Sequence, residues 1–135
     1  MFEEFVLAAS TDTLETAARA DAADAVEFRM DLASDPLDQL DAYEGSLPLI
    51  VTNRAAWEGG EAEGTDRYDA LTEAVDHPSV VAVDIELAAL TGTPPAVGAT
   101  DASTEQSRAE ELRSQAREAS VEVIASVHDF TATPP

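Results

Sequence analysis

Five short apolar runs, beginning near residues 5, 25, 48, 80 and 121, recur along the chain with helix-compatible stretches between them. That alternation constrains the fold more than any other feature. Strands separated by helices predict an α/β domain with a parallel sheet. The runs are Phe5–Ala9, Ala25–Leu32, Leu47–Thr52, Val80–Leu87 and Val121–Val127. Ser10-Thr11-Asp12 suits a helix cap and precedes Leu14, Ala17 and Ala18 at helical spacing. Ser34-Asp35-Pro36 starts a second helix on Leu37 and Leu40, which Gly45 and Ser46 break. A third spans about 66–76 with Tyr68, Leu71 and Val75 on one side, and His77-Pro78 ends it. The longest spans about 104–119, with Ala109, Leu112 and Ala116 in register. Residues 55–65 and 90–103 read as loops.

Two architectures fit these units: an open doubly wound sheet, or part of a (β/α)8 barrel. No Gly-x-Gly-x-x-Gly follows the first strand, which weakens the dinucleotide-binding version. A complete barrel takes about 250 residues. Residues 1–135 show no sign of a second domain, and on the barrel reading their five strand–helix units make a little over half a barrel.

Charge narrows the function. The chain carries 28 acidic against seven basic residues, a net charge of −21, and every basic residue is arginine. The acids are spread over the whole length, as on the solvated surface of a protein from a salt-rich cytoplasm, where screening removes most self-repulsion. A basic partner or a nucleic-acid mimic is the rival reading of such a surface. This charge opposes direct binding to nucleic acid. There is no cysteine, so disulfides and thiolate chemistry are excluded and cytoplasmic residence is expected. Phe2–Ala9 is too short and too acidically flanked for a signal peptide, and no apolar run approaches a membrane span.

The second and fourth runs carry charges within the apolar pattern. Glu27, Arg29 and Asp31 share one face of Ala25–Leu32, opposite Val26, Phe28 and Met30; Asp84 and Glu86 share a face of Val80–Leu87. In a sheet covered by helices such charges are costly unless they pair or do chemistry. Arg54 and Glu58 follow the third run and His128 follows the fifth. All of these fall at the C-terminal ends of strands, the barrel face where active sites form. Each residue also has a plainer reading: an ion pair stitching strand ends for Glu27 and Arg29, solvated edge residues for Asp84 and Glu86, a satisfied histidine for His128. Their coincidence at matching ends favours a site. The Trp57–Glu61 loop is glycine-rich, but its glutamates and lack of lysine argue against a phosphate cradle. A divalent metal held by Glu27, Asp84, Glu86 and His128 is disfavoured by the adjacent arginines.

These motifs resemble those of type I 3-dehydroquinate dehydratases. Glu27-Phe28-Arg29-Met30-Asp31 is similar to that family's Glu-x-Arg-x-Asp strand. Pro48–Arg54 with Glu58-Gly59-Gly60-Glu61 resembles the next strand and its Glu-Gly-Gly-Glu loop. Asp84-Ile85-Glu86-Leu87 resembles the Asp-Leu-Glu-Leu strand, and Ser126-Val127-His128-Asp129-Phe130 with Thr133-Pro134 resembles the Ser-x-His-Asp-Phe-x-x-Thr-Pro segment. The resemblance implies a (β/α)8 barrel that converts 3-dehydroquinate, a small-molecule substrate, to 3-dehydroshikimate and water. No metal or organic cofactor is implied, nor any nucleic-acid or membrane partner, and a homodimer is compatible with it. His128 would be the general acid/base and Glu58 its partner. Glu27, Arg29 and Arg54 would bind the substrate, with Asp84, Glu86 and Asp31 in support. The family's Schiff-base lysine lies on the strand after His-Asp-Phe, whereas this sequence contains no lysine. The expectation is therefore the N-terminal portion of a longer enzyme, inactive by itself; a non-catalytic half-barrel binding or assembly module is the alternative.

Overall fold

The computed structural model describes residues 8–12, 14, 24–62, 64, 66–92 and 102–126. Five strands form one sheet: β1 (Ala8–Thr11), β2 (Ala25–Arg29), β3 (Leu49–Thr52), β4 (Val80–Glu86) and β5 (Glu122–Ser126). The strands lie in the order β1-β2-β3-β4-β5 and every pairing is parallel. This order decides between the two architectures. A doubly wound sheet reverses its strand order at a switch point, whereas a barrel adds each strand beside the last. The sheet is a sector of a (β/α)8 barrel.

Four described helices connect or flank these strands: α1 (Pro36–Ala42), α2 (Asp66–Ala74), α3 (Leu87–Leu90) and α4 (Ala102–Glu118). Pro36 occupies the first turn of α1, where its missing N–H costs nothing. Ala109, Leu112 and Ala116 of α4 are wholly buried, as their spacing requires. They join Leu40 of α1, Leu71 and Ala74 of α2, and the outward-facing Val26, Phe28, Leu49, Val51, Val83 and Ile85 in one apolar core. Burying each large side chain there contributes about 1.5–3 kcal/mol. Ala25, Ile50 and Ala82 form a smaller apolar floor on the opposite, barrel-interior face.

The interior face then turns polar toward the strand C-termini, because side chains alternate along each strand. In β4 that alternation depends on an irregularity. Leu49 pairs with Val80 but Ile50 pairs with Ala82, so Val81 is an extra residue. A one-residue offset moves every following side chain to the other face. The bulge therefore carries Asp84 and Glu86 into the interior and Val83 and Ile85 into the helix-covered core.

Several boundaries differ from the sequence expectations. Among the described residues the first strand covers Ala8–Thr11 and takes in Ser10 and Thr11, whose composition suits a cap; Phe5–Leu7 of the expected strand and Ala17 and Ala18 of the expected helix lie outside the described residues. β2 ends at Arg29, and Met30–Leu32 forms a 3-10 turn, so Asp31 does not share a strand face with Glu27 and Arg29. β4 ends at Glu86; Leu87 opens α3 and is 41% exposed instead of facing inward with Val83 and Ile85. Residues 87–90, expected to run from strand end into loop, make a helical turn against which Gln106 of α4 hydrogen-bonds at Leu90 O.

Candidate active site

Every described side chain expected at the site converges on the C-terminal ends of β2, β3 and β4; His128 lies outside the described residues. Arg54, 4% exposed, stands at the centre just past β3. Its Nη2 lies 3.0 Å from Asp84 Oδ1, and its Nη1 lies 3.4 Å from Glu86 Oε2 and 3.5 Å from Glu58 Oε2. Nη1 also donates to Ser126 Oγ at 2.7 Å, and that hydroxyl donates to Asp84 Oδ1 at 2.6 Å. A planar guanidinium can satisfy several carboxylates in fixed directions, which a lysine ammonium cannot.

Glu58 reaches this centre because the chain doubles back. After Arg54, a 3-10 turn (Ala56–Glu58) leads into Gly59, whose φ of 87° is in the left-handed region. Gly60 N–H then donates to Ala55 O at 2.9 Å, and Ala62 N–H donates to Arg54 O at 3.1 Å. A Cβ on Gly60 would lie 2.2 Å from Arg54 O, so only glycine permits this approach. The glycines thus close a tight turn that brings Glu58, 7% exposed, against Arg54.

Asp31 ties that turn to β2. Arg29 donates to it twice, Nε to Oδ1 at 2.9 Å and Nη2 to Oδ2 at 2.7 Å, while Glu61 N–H donates to Oδ2 at 3.1 Å. Arg29 thus pairs directly with Asp31, while Glu27 accepts from Thr52 Oγ1 at 2.8 Å and its charge also favours the Arg29 cation. Burial alone would raise the Asp31 carboxyl, but the Arg29 hydrogen bonds, with backbone N–H groups of Glu61 and Arg54, bring it below its usual range. The hydrogen bond to Asp31 correspondingly raises Arg29. For Asp84 the balance is reversed. Burial, aided by nearby Glu86, raises its carboxyl despite Ser126 and Arg54.

These opposite shifts give a pH prediction. A carboxylate with a depressed folded-state pKa contributes stability above its unfolded value, lost as pH falls through the folded value. Asp31→Asn is expected to cost stability at neutral pH by an amount that stays constant down to about pH 5 and vanishes well below pH 4. Denaturation midpoints of both proteins across that range check it. A difference unchanged at low pH would contradict the assignment. Asp84 has the opposite sign: its burial cost is relieved as the pH falls.

Four participants carry no site role in the sequence reading: Ser126, which appears there only within a motif, Tyr68, which appears only as core, and Arg67 and Glu105. Arg67, 3% exposed, donates to Glu86 Oε1 at 3.2 Å and to Glu105 Oε2 at 2.8 Å. Tyr68 Oη donates to the same Glu105 oxygen at 2.6 Å, and burial beside that carboxylate raises its phenol. A usable signal was present. Arg67 lies four residues before Leu71, and Glu105 four before Ala109, so both extend apolar stripes of their helices.

The model of the type I 3-dehydroquinase family matches residues 6–135. The 3-dehydroquinate dehydratase of Haloarcula marismortui is 50% identical over 136 residues, covering 98% of this chain and 54% of that protein. That of Halobacterium salinarum is 48% identical over 135 residues, covering 98% and 55%. The crystal structure of 3-dehydroquinate dehydratase from Geobacillus kaustophilus superposes with a TM-score of 0.67 at 19% identity, covering 98% of this chain and 53% of that one, and supports the fold. The chain spans about half the length of the curated relatives it matches.

Proposed function

Because the chain belongs to the type I 3-dehydroquinase family, we propose that its strand-end cluster is the substrate-binding half of a 3-dehydroquinate dehydratase. The reaction removes water from 3-dehydroquinate to give 3-dehydroshikimate. A lysine amine condenses with the substrate ketone, releasing its oxygen as water, and the resulting iminium acidifies the neighbouring C–H bond. His128 takes that proton and returns it to the departing hydroxyl, with Glu58 orienting the imidazole and supporting its charge. After the elimination, water hydrolyses the product iminium, which frees the ketone product and restores the amine. Glu27, Arg29 and Arg54 hold the ring hydroxyls. Asp31 fixes Arg29, while Asp84 and Glu86 fix Arg54. These 135 residues contain no lysine, so the amine comes from outside them and the segment alone forms no Schiff base. The enzyme works in a salt-rich cytoplasm.

The observation that carries this reading is Arg54 held among Glu58, Asp84 and Glu86 beside the Arg29–Asp31 pair. Two guanidinium groups and several carboxylates at one barrel mouth suit a polyhydroxylated acid. The test is turnover by the protein encoded by the complete gene, assayed in molar KCl with 3-dehydroquinate by the appearance of the conjugated product. Turnover unaffected by chelators is the expected result. A folded protein that neither binds nor converts 3-dehydroquinate would overturn the proposal.

A further inference from the structure

Arg67 sits in the first turn of α2, yet the chain buries it almost completely. Burying a guanidinium is costly unless its donors are matched. Nη1 donates to Glu86 Oε1 at 3.2 Å, and Nη2 donates to Glu105 Oε2 at 2.8 Å and Tyr68 Oη at 2.7 Å, while the buried Nε has no hydrogen-bond partner among the described residues. The guanidinium carbon is 4.1 Å from the Tyr68 ring centroid and 5.6 Å from that of Trp57. Its orientation is thus set by α2, by α4 through Glu105, and by the turn that carries Glu58.

The consequence runs through Glu86. One oxygen of that carboxylate faces Arg67; the other accepts from Ala55 N–H at 3.0 Å and lies 3.4 Å from Arg54 Nη1. Without Arg67, the first oxygen loses its donor and the carboxylate is free to rotate. Its hold on Arg54, and on the amide that starts the Glu58 turn, then loosens.

We infer that Arg67 is a positioning residue for the strand-end site: clamped by Glu105 and Tyr68, it fixes Glu86 so that Glu86 orients Arg54 and the Glu58 turn. Its kinetic consequence rests on the proposed dehydratase reading; its structural consequence does not. The test compares Arg67→Met and Arg67→Lys with Leu71→Ala, a core variant on the same helix, in the protein from the complete gene. The first readout is proton exchange at the Arg54 guanidinium by NMR. The second is kcat/KM for 3-dehydroquinate. Arg67→Met is expected to accelerate exchange and to lower kcat/KM by on the order of tenfold to a hundredfold, as small misplacements of reacting groups do. Arg67→Lys should retain part of both, and Leu71→Ala should destabilise without moving either. Combining Arg67→Met with Glu86→Gln should add little to the Glu86→Gln loss, because the two act as a unit. If Arg67→Met fails to fold, Arg67→Lys carries the same comparison. Unchanged Arg54 exchange in a folded Arg67 variant, or an additive double variant, would overturn the inference. Slow Arg54 exchange in a wild-type protein without turnover would refute the dehydratase reading alone, and exchange in the variants would still decide the role of Arg67.

Discussion

Arg54→Ala is expected to lower stability by about 3–5 kcal/mol, since it strips the cation from a buried group of carboxylates. Arg54 is the shared partner of Glu58, Asp84 and Glu86, each less than a tenth exposed. Burial, aided by Glu86, already pushes the Asp84 carboxyl up even with the arginine present. A loss of that size is a large share of the ~5–15 kcal/mol that holds a typical domain together. Denaturant titrations in molar KCl check it. The triple variant Arg54→Ala, Asp84→Asn, Glu86→Gln should recover part of the loss, because it removes the uncompensated charges as well. Arg54→Lys should fall between, as a single ammonium cannot reach Ser126, Asp84 and Glu86 together. A loss under about 1 kcal/mol in Arg54→Ala would show that the carboxylates are solvated in the wild-type protein.

Gly60→Ala is the second large effect. The added carbon would lie 2.2 Å from Arg54 O, 2.4 Å from Arg54 Cβ and 2.5 Å from Arg54 C. Two of those contacts are backbone, so no side-chain rotation relieves them. The turn must open, weakening the Gly60 N–H bond to Ala55 O and the Ala62 N–H bond to Arg54 O. Overpacking of this kind costs about 1–3 kcal/mol. The opening also withdraws Glu58 from Arg54, and kcat/KM should fall about a hundredfold, a typical consequence of a 1 Å misplacement. Gly64→Ala is the control. Gly64 has a φ of 69°, and a methyl group there would meet nothing within 4 Å, so only the backbone strain of about 1–2 kcal/mol applies and activity should persist. Equal activity losses in the two variants would contradict the role given to the Glu58 turn.

The barrel sector was legible in the sequence because its signals are local. Each strand is a short apolar run, and the charges at Glu27, Arg29, Asp84 and Glu86 stand out against that background. What stayed hidden depends on contacts between elements. The Val81 bulge, which aims Asp84 inward, exists only in the pairing of β3 with β4. Asp31 looked like a continuation of the strand, but its carboxylate bonds back to Arg29 and to Glu61 N–H, which holds a 3-10 turn at Met30–Leu32. Tyr68 read as core, and it is core, with a hydroxyl that also binds Glu105. Arg67 carries no signal of burial in its residue type, because charged side chains on helices are mostly exposed. Counting charged residues that extend an apolar stripe would have flagged both Arg67 and Glu105.

The most direct test of the central claim is borohydride trapping. The protein is purified from its own source, incubated with 3-dehydroquinate, reduced, and weighed intact before peptide mapping. The expected result is a mass above 14.2 kDa carrying one reduced adduct, on a lysine outside Met1–Pro135, with no adduct on the 135-residue segment. A substrate-derived adduct within Met1–Pro135, or a native protein that turns over 3-dehydroquinate yet traps none, would contradict it.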